Sequence, residues 1–323
     1  MSTKYYIGPM TKNVVDAIID YSNTTGKEIG LIPSRRQVEW DGGYVNNWTT
    51  ETFSEYVKLK GKNITLQRDH SGPGQGQFED DGYKSLEDDC KYLDLIHIDP
   101  WKKYPKYEDG LKWTVDMIKF CDGINPDLKY EVGTEEAIRR FEVEDLRKLL
   151  EDLKDMLGEV LYNKISYLVI QSGTSLKATT QTGVYDNSRL KNMISLAKEY
   201  KLLSKEHNGD YIPVSTVHEK LALGLDAINI APEFGLIETE TYLDLITDEN
   251  FVEAFWKICY DSKKWVKWVD SSFDPLTQKL DLIRICGHYV LTSPEFVALG
   301  YRSSYLDNEI QQRVKAKLDE LYK

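Results

Sequence analysis

The sequence predicts a (β/α)8 TIM barrel followed by a C-terminal helical extension. Eight short apolar runs alternate with helical stretches over about 235 residues, the pattern of a parallel sheet closed on itself. Several runs end in polar side chains and break at once into loops. The clearest is 64–76, where Ile-Thr-Leu-Gln-Arg-Asp-His leads into Ser-Gly-Pro-Gly-Gln-Gly. A buried parallel strand delivering polar groups to the C-terminal mouth of a barrel has this profile. The open doubly wound sheet would need fewer strands, and no GxGxxG follows the first strand.

Residues 5–8 form the first strand. Val14, Val15, Ile18, Ile19 and Tyr21 recur at helical spacing over 11–23, with Thr11 placed as the N-cap. The second strand, 28–32, stops at Pro33 and opens a polar loop from Ser34 to Tyr44, long for a connection. A helix over 49–59 lacks a Glu three residues after Thr49, so only a weak cap is expected. The third strand ends at His70, and a helix follows at 82–91. The fourth strand, 92–98, runs into Asp99-Pro100-Trp101 and is followed by a helix over 108–122. The fifth, 128–133, leads to Thr134-Glu135-Glu136 and a charged amphipathic helix over 142–157. The sixth, 165–171, opens a long polar loop from Ser172 to Asn187 before a helix over 188–200. The seventh, 201–206, ends in His207-Asn208-Gly209-Asp210, with a helix at 213–223. The eighth, 225–230, ends in Ala231-Pro232-Glu233. The barrel is therefore placed at 1–237. Residues 238–323 read as helices packed on it, with Phe255, Trp256, Trp265 and Trp268 as packing aromatics.

A chain of 323 residues accommodates one barrel of roughly 250 residues and an appendage. Its 41% hydrophobic and 29% charged residues are the balance of an ordinary soluble globular protein. A net charge of −12 argues against nucleic acid as the main partner, but a local pocket can still be positive and take a small anion. Cys90, Cys121, Cys259 and Cys286 form no CxxC and read as buried, reduced thiols. No apolar run approaches 18 residues and no signal-peptide pattern opens the chain, so a cytoplasmic protein without membrane contact is expected.

In a barrel, chemistry sits at the strand C-termini. Those positions carry Arg35 and Gln37 on the second strand, Asp69 and His70 on the third, and His97 and Asp99 on the fourth. Glu131 and Glu135 follow on the fifth, Gln171 on the sixth, Lys205, His207 and Asn208 on the seventh, and Asn229 and Glu233 on the eighth. Alternation puts His97 and Asp99 on one face, and likewise Lys205 and His207. Bland readings stand beside these. His97 suits a hydrogen-bonded core position, Asp99 a turn before proline, Glu131 and Glu135 solvated acids, and Arg35 the surface. His218 and His288 read as structural. Two histidines and a carboxylate from different strands can hold a divalent metal that stabilises an enediolate, with Asp69 or a Glu moving the proton. Lys205 as a Schiff-base lysine is the metal-free alternative.

Several stretches resemble a known family. They are Gln37-Val38 with Asp41-Gly42-Gly43-Tyr44, Asp69-His70 with Gly72-Pro73, and His97-Ile98-Asp99. Gly133-Thr134-Glu135, Tyr185-Asp186, and Glu206-His207 followed by Asp210-Tyr211 continue the series in family order over about residues 5–235. The chain thereby resembles the non-catalytic subunit family of class II tagatose-bisphosphate aldolases (GatZ/KbaZ-like), itself similar to the metal-dependent class II ketose-bisphosphate aldolases. The resemblance implies a TIM barrel and a sugar or sugar-phosphate ligand. By strand position it implies Asp69 as catalytic acid/base and His70, Glu131 and His207 as metal ligands. The sixth strand departs from the catalytic pattern, with Gln171-Ser172-Gly173-Thr174 where a histidine ligand stands. No glycine-rich phosphate loop is evident after the seventh and eighth strands.

The expected function is a metal-assisted aldolase or epimerase acting on a ketose through an enediolate, with zinc or manganese as cofactor. Asp69, Glu135 and Asp99 are the expected catalytic groups. Arg35, Gln37, His97, Gln171, Lys205, Asn208, Asn229 and Glu233 are the expected substrate contacts. The alternative is a non-catalytic subunit that stabilises a class II tagatose-bisphosphate-type aldolase as its partner.

Overall fold

The apolar runs become parallel strands because each is buried on both faces, by the barrel interior and by the helices outside. The computed structural model describes residues 3–323. The strands are β1 (Tyr5–Ile7), β2 (Ile29–Leu31), β3 (Ile64–Ser71), β4 (Leu95–Ile98), β5 (Lys129–Val132), β6 (Ile165–Ile170), β7 (Thr174–Lys177), β8 (Thr180–Gly183), β9 (Leu203–Glu206) and β10 (Ala227–Ile230). All but β7 and β8 form one closed barrel, sealed where β1 pairs with β10. The helices are α1 (Lys12–Thr25), α2 (Thr50–Lys60), α3 (Tyr83–Tyr92), α4 (Tyr107–Ile124), α5 (Val143–Tyr162), α6 (Asn187–Glu199), α7 (Val214–Ala222), α8 (Pro232–Leu245), α9 (Glu249–Ser262), α10 (Lys279–Cys286), α11 (Pro294–Ala298) and α12 (Ser304–Leu321).

Local chemistry sets the element ends. The Thr11 hydroxyl accepts from Val14 N and caps α1, as expected. At α2 the cap is stronger than the sequence suggests, because Thr52 answers Thr49 reciprocally where a Glu would ordinarily stand. The fourth strand begins at Leu95 rather than 92, because Tyr92 closes α3 and Asp94 turns back to accept from Leu66 N at 2.9 Å. The seventh begins at Leu203 because Lys201 turns in the left-handed region, with φ 59. The loop predicted over Ser172–Asn187 contains the antiparallel hairpin β7–β8, which turns at Ala178. Thr180 and Thr182 alternate along β8 and, with Thr174 opening β7, are the strand signal in that stretch.

Inside the barrel, Tyr6, Ile32, Leu95, Tyr167 and Ala227 form an apolar plug. The next layer is polar: Gln67, Glu131 and Lys205. The extension continues directly from the barrel, since α8 is one helix through the expected boundary at 237/238. α12 packs on α1 and α8, and the Tyr5 hydroxyl donates to Leu321 O at 2.5 Å. The four cysteines are buried free thiols. Among the described residues no helix is long and apolar enough to cross a membrane.

One buried acid makes the barrel–extension seam sensitive to pH. Glu238 on α8 accepts from Thr11 and Asn13 of α1. Burial raises its carboxyl from 4.5 to about 7, against the opposing hydrogen bonds from Thr11 and Asn13. The folded chain therefore keeps a proton that the unfolded chain gives up near pH 4.5, so this stability is present at low pH and lost as pH rises through about 7. Glu238→Gln is expected to remove that slope and to gain roughly 3 kcal/mol on the parent between pH 5 and 8. Urea melts at the two pH values test it. A difference between parent and variant that does not change with pH counts against the assignment.

Candidate active site

The mouth of the barrel is organised by a bulge in β3. Arg68 and Ser71 oppose Ile96 and Ile98 of β4, so β3 carries one extra residue there. In a regular strand Asp69 and His70 would face opposite sides. His70 instead takes φ 47, in the left-handed region, and both side chains reach the mouth. Arg68 faces outward, where it donates three hydrogen bonds to Asp89 of α3 and others to Pro33 O, Val38 O and Thr50.

Asp69, His70, His97 and His207 converge so that one ligand atom from each lies within 4.8 Å of the others. His70 Nε2 and His207 Nδ1 are 3.4 Å apart, and Asp69 Oδ1 is 3.9 Å from the first and 3.7 Å from the second. Neighbouring ligands on a tetrahedral zinc ion stand about 3.3 Å apart when each bond is about 2.0 Å. His70 Nε2, His207 Nδ1 and Asp69 Oδ1 therefore need only a small contraction around a cation.

Each ring is oriented from behind. Asp99 accepts from His70 Nδ1 at 2.6 Å, and Glu131 accepts from His207 Nε2 at 2.5 Å. Their far nitrogens, His70 Nε2 and His207 Nδ1, are thereby turned toward each other. His97 Nε2 donates to Gly133 O at 3.0 Å, and His97 Nδ1 accepts from His70 N. Gly133 presents that carbonyl with φ 100, and a Cβ there would crowd Val169 O at 3.1 Å. Asn229 Nδ2 reaches Asp69 Oδ1 at 3.4 Å, while Asn229 Oδ1 has no partner among the described residues.

The charges are arranged to hold a cation. Burial works against the His70 imidazolium, but the carboxylates of Asp69, Asp99 and Glu135 outweigh it and raise His70 to about 10. The far nitrogens of His70 and His207, 3.4 Å apart, face each other beside Asp69. Burial lowers His97 to about 4 and keeps it neutral, with both ring nitrogens engaged by His70 N and Gly133 O. Burial would raise Glu131, yet Lys205 and His207 hold it well below the usual carboxylate range.

A cavity of ≈ 420 Å³ opens above the cluster, with Asp69, His70, Gln37 and Glu135 among its lining residues. Glu135 makes no side-chain hydrogen bond among the described residues and faces the cavity as a free carboxylate. Gln37 is anchored through Oε1 to Ser34 N at 2.8 Å.

Several residues expected at the site do other work. Arg35 is buried, bound to Glu39 at 2.7 Å and twice to Asp80, and staples the loops after β2 and β3. Gln171 spends its amide on Thr134 O, Arg139 O and Phe141 N, bracing the loop that carries Glu135. Asn208 donates to Thr174 O and anchors the hairpin. Glu233 is held by Lys317 and Tyr211 N. Asp99 positions His70 instead of facing the cavity, and Glu131 positions His207 from outside the four-residue cluster. Lys205 lies one layer below, paired with Glu131 at 2.9 Å and seated on the Tyr6 ring, which removes the Schiff-base alternative.

The extension supplies residues the sequence reading placed elsewhere. Lys267, Trp268, His288 and Tyr289 line the cavity together with Arg36, Gln75 and Lys102. Trp268 and His288 are therefore mouth residues, whereas Trp256 and Trp265 spend their indoles on backbone carbonyls in packing. Polar residues in a helical region carry no strand-end signal, so periodicity could not single these out.

No protein-family model matches the sequence, and no curated protein matches it. Among solved structures, the chain is similar to a probable tagatose 6 phosphate kinase from Sinorhizobium meliloti 1021, with TM-score 0.79, 16% identity and 99% of each chain covered. It is also similar to the YdjI aldolase from Escherichia coli K12, with TM-score 0.59, 10% identity, and 99% of this chain and 89% of that one covered. A fructose-bisphosphate aldolase from Campylobacter jejuni matches with TM-score 0.57, 12% identity, and 99% and 90% coverage. At these identities the likeness establishes the shared barrel fold.

Proposed function

We propose that the chain is a metal-assisted aldolase or epimerase that acts on a ketose or ketose phosphate. One observation carries this reading: Asp69, His70, His97 and His207, from three different strands, converge at the mouth with a free carboxylate, Glu135, in the same cavity. The aldolases among its structural neighbours agree with it.

His70 Nε2 and His207 Nδ1, with the Asp69 carboxylate beside them, are the ligands we assign to a divalent ion, zinc or manganese, while His97 packs behind them as a neutral ring that braces the His70 backbone. When bound, that ion supplies Lewis-acid polarisation of the substrate carbonyl. Asp99, Glu131 and Gly133 O hold the three rings in the required tautomers. Asp69 and Glu135 move protons. In epimerisation one removes the proton on the carbon beside the carbonyl, leaving an enediolate, and a proton is returned to the other face. In aldol cleavage a carboxylate takes the substrate hydroxyl proton, the carbon–carbon bond breaks, and its electron pair becomes the enediolate.

The test is the divalent-metal content of the purified chain beside a His70→Ala/His207→Ala variant. About one equivalent in the parent, lost in a variant that keeps its circular dichroism, is expected. A parent that stays metal-free after zinc and manganese are supplied defeats the reading. Metal binding without turnover in a screen of ketoses and their phosphates would instead favour a non-catalytic subunit working beside an aldolase.

A further inference from the structure

The acidic cluster is only half of the mouth. A second cavity of ≈ 380 Å³ adjoins the first and shares Arg36, Tyr44, Lys267 and Tyr289 with it. Gln77, Lys263, Lys264 and Val266 complete the second lining, so four cations border it and no carboxylate does. This chain has 53 acidic and 41 basic side chains, and most of its lysines and arginines find acids. Among the described residues none of Arg36, Lys263, Lys264 and Lys267 has a carboxylate oxygen within 4.0 Å.

The four are held together by other means. Arg36 Nε donates to Gly76 O at 3.1 Å, which leaves its two terminal nitrogens free. The Lys264 ammonium stands 5.1 Å from the Tyr44 ring centre, and that of Lys267 stands 4.3 Å from the Trp268 ring and 5.7 Å from the Tyr289 ring. Burial lowers Lys267 to about 8, and repulsion from Arg36, Lys102 and Lys264 adds to the effect. Like charges gathered without counter-charge cost free energy that a bound anion returns.

We propose that this second cavity binds the phosphate group of a phosphorylated sugar whose carbonyl lies over Asp69 and His70. The assignment rests on the barrel mouth being the site of reaction. A phosphate monoester carries nearly two charges and suits a guanidinium fork flanked by ammonium groups, whereas a carboxylate would leave most of the four cations unanswered. The side chains come from the loop after β2 and from the segment between α9 and α10. The extension therefore closes the site and supplies the charge that no glycine-rich loop provides.

Calorimetric titration tests this with four probes: inorganic phosphate, acetate, dihydroxyacetone and dihydroxyacetone phosphate. The parent is expected to bind phosphate, with affinity falling as salt rises, and to bind acetate and dihydroxyacetone far more weakly. Lys264→Ala/Lys267→Ala should weaken phosphate binding by at least about tenfold. Neither lysine side chain makes a hydrogen bond or ion pair among the described residues, so that variant is expected to keep its fold, which circular dichroism checks. The His70→Ala/His207→Ala variant should bind inorganic phosphate as the parent does, even if the metal reading fails. Dihydroxyacetone phosphate should bind the parent more tightly than inorganic phosphate, because it spans both cavities. Equal affinity for the two would leave a site for free phosphate only and overturn the sugar-phosphate assignment. No binding at on the order of 10 mM phosphate, or equal binding by parent and lysine variant, overturns the subsite itself.

Discussion

Asp69→Asn is expected to lower turnover of a ketose substrate by about 10³-fold while leaving substrate affinity largely unchanged. The amide keeps the size of the side chain and removes its charge and its basicity. Asp69 lines the cavity, and its Oδ1 is bordered by His70 Nε2 at 3.9 Å, His207 Nδ1 at 3.7 Å and Asn229 at 3.4 Å. A carboxylate so placed takes a proton from a substrate beside the three imidazoles; an amide cannot. Steady-state kinetics with the best substrate from the ketose screen separates the possibilities. A fall confined to kcat supports proton transfer by Asp69. A variant within tenfold of the parent would move that role to Glu135 alone. A loss that appears only in KM would make Asp69 a binding residue.

Arg68→Leu is expected to cost about 3–5 kcal/mol of stability, the largest effect of any single change considered for the scaffold. Arg68 and Asp89 are both fully buried and linked by Nη2–Oδ1 at 2.6 Å and by Nε to both carboxylate oxygens. The guanidinium also serves Pro33 O, Val38 O and Thr50 Oγ1, so its loss strands a buried acid and three acceptors. Burial raises the Asp89 carboxyl against the pull of Arg68, and without the arginine the acid takes up a proton or draws in water. Urea midpoints at constant slope measure the loss. The double change Arg68→Leu/Asp89→Leu should recover part of it, because the uncompensated charge is gone. A cost below about 1 kcal/mol for Arg68→Leu would show that the pair is not a keystone of the β2–β3–α3 corner.

The same arginine shows why neighbouring residues in one strand have such different fates. Arg68 looks outward to a helix, while Asp69 and His70 both look to the mouth. Alternation along the sequence forbids that, and only the bulge with His70 in the left-handed region allows it. The convergence of Asp69 and His70 with His97 and His207 was legible as strand-end chemistry, since each residue ends an apolar run. Its members' roles were not. Glu131 stands on the same barrel layer pattern as a ligand would, yet turns its carboxylate onto His207 and Lys205. Asp99 is spent on His70, and Arg35 on Asp80 and Glu39, because a neighbouring partner was nearer than the cavity.

By itself the sequence determined the closed eight-stranded barrel, the face on which chemistry sits, and the histidines and acids brought there. Apolar runs, period and loop breaks are local properties, and burial of a parallel sheet on both faces follows from them. Only the tertiary structure decided which polar groups pair with one another and which stay free. It also brought Arg36 to the same cavity lining as Lys264 and Lys267, more than two hundred positions further along the chain. Pairing of buried charges depends on ångström-scale distances between separate elements, and no spacing along the chain encodes those distances.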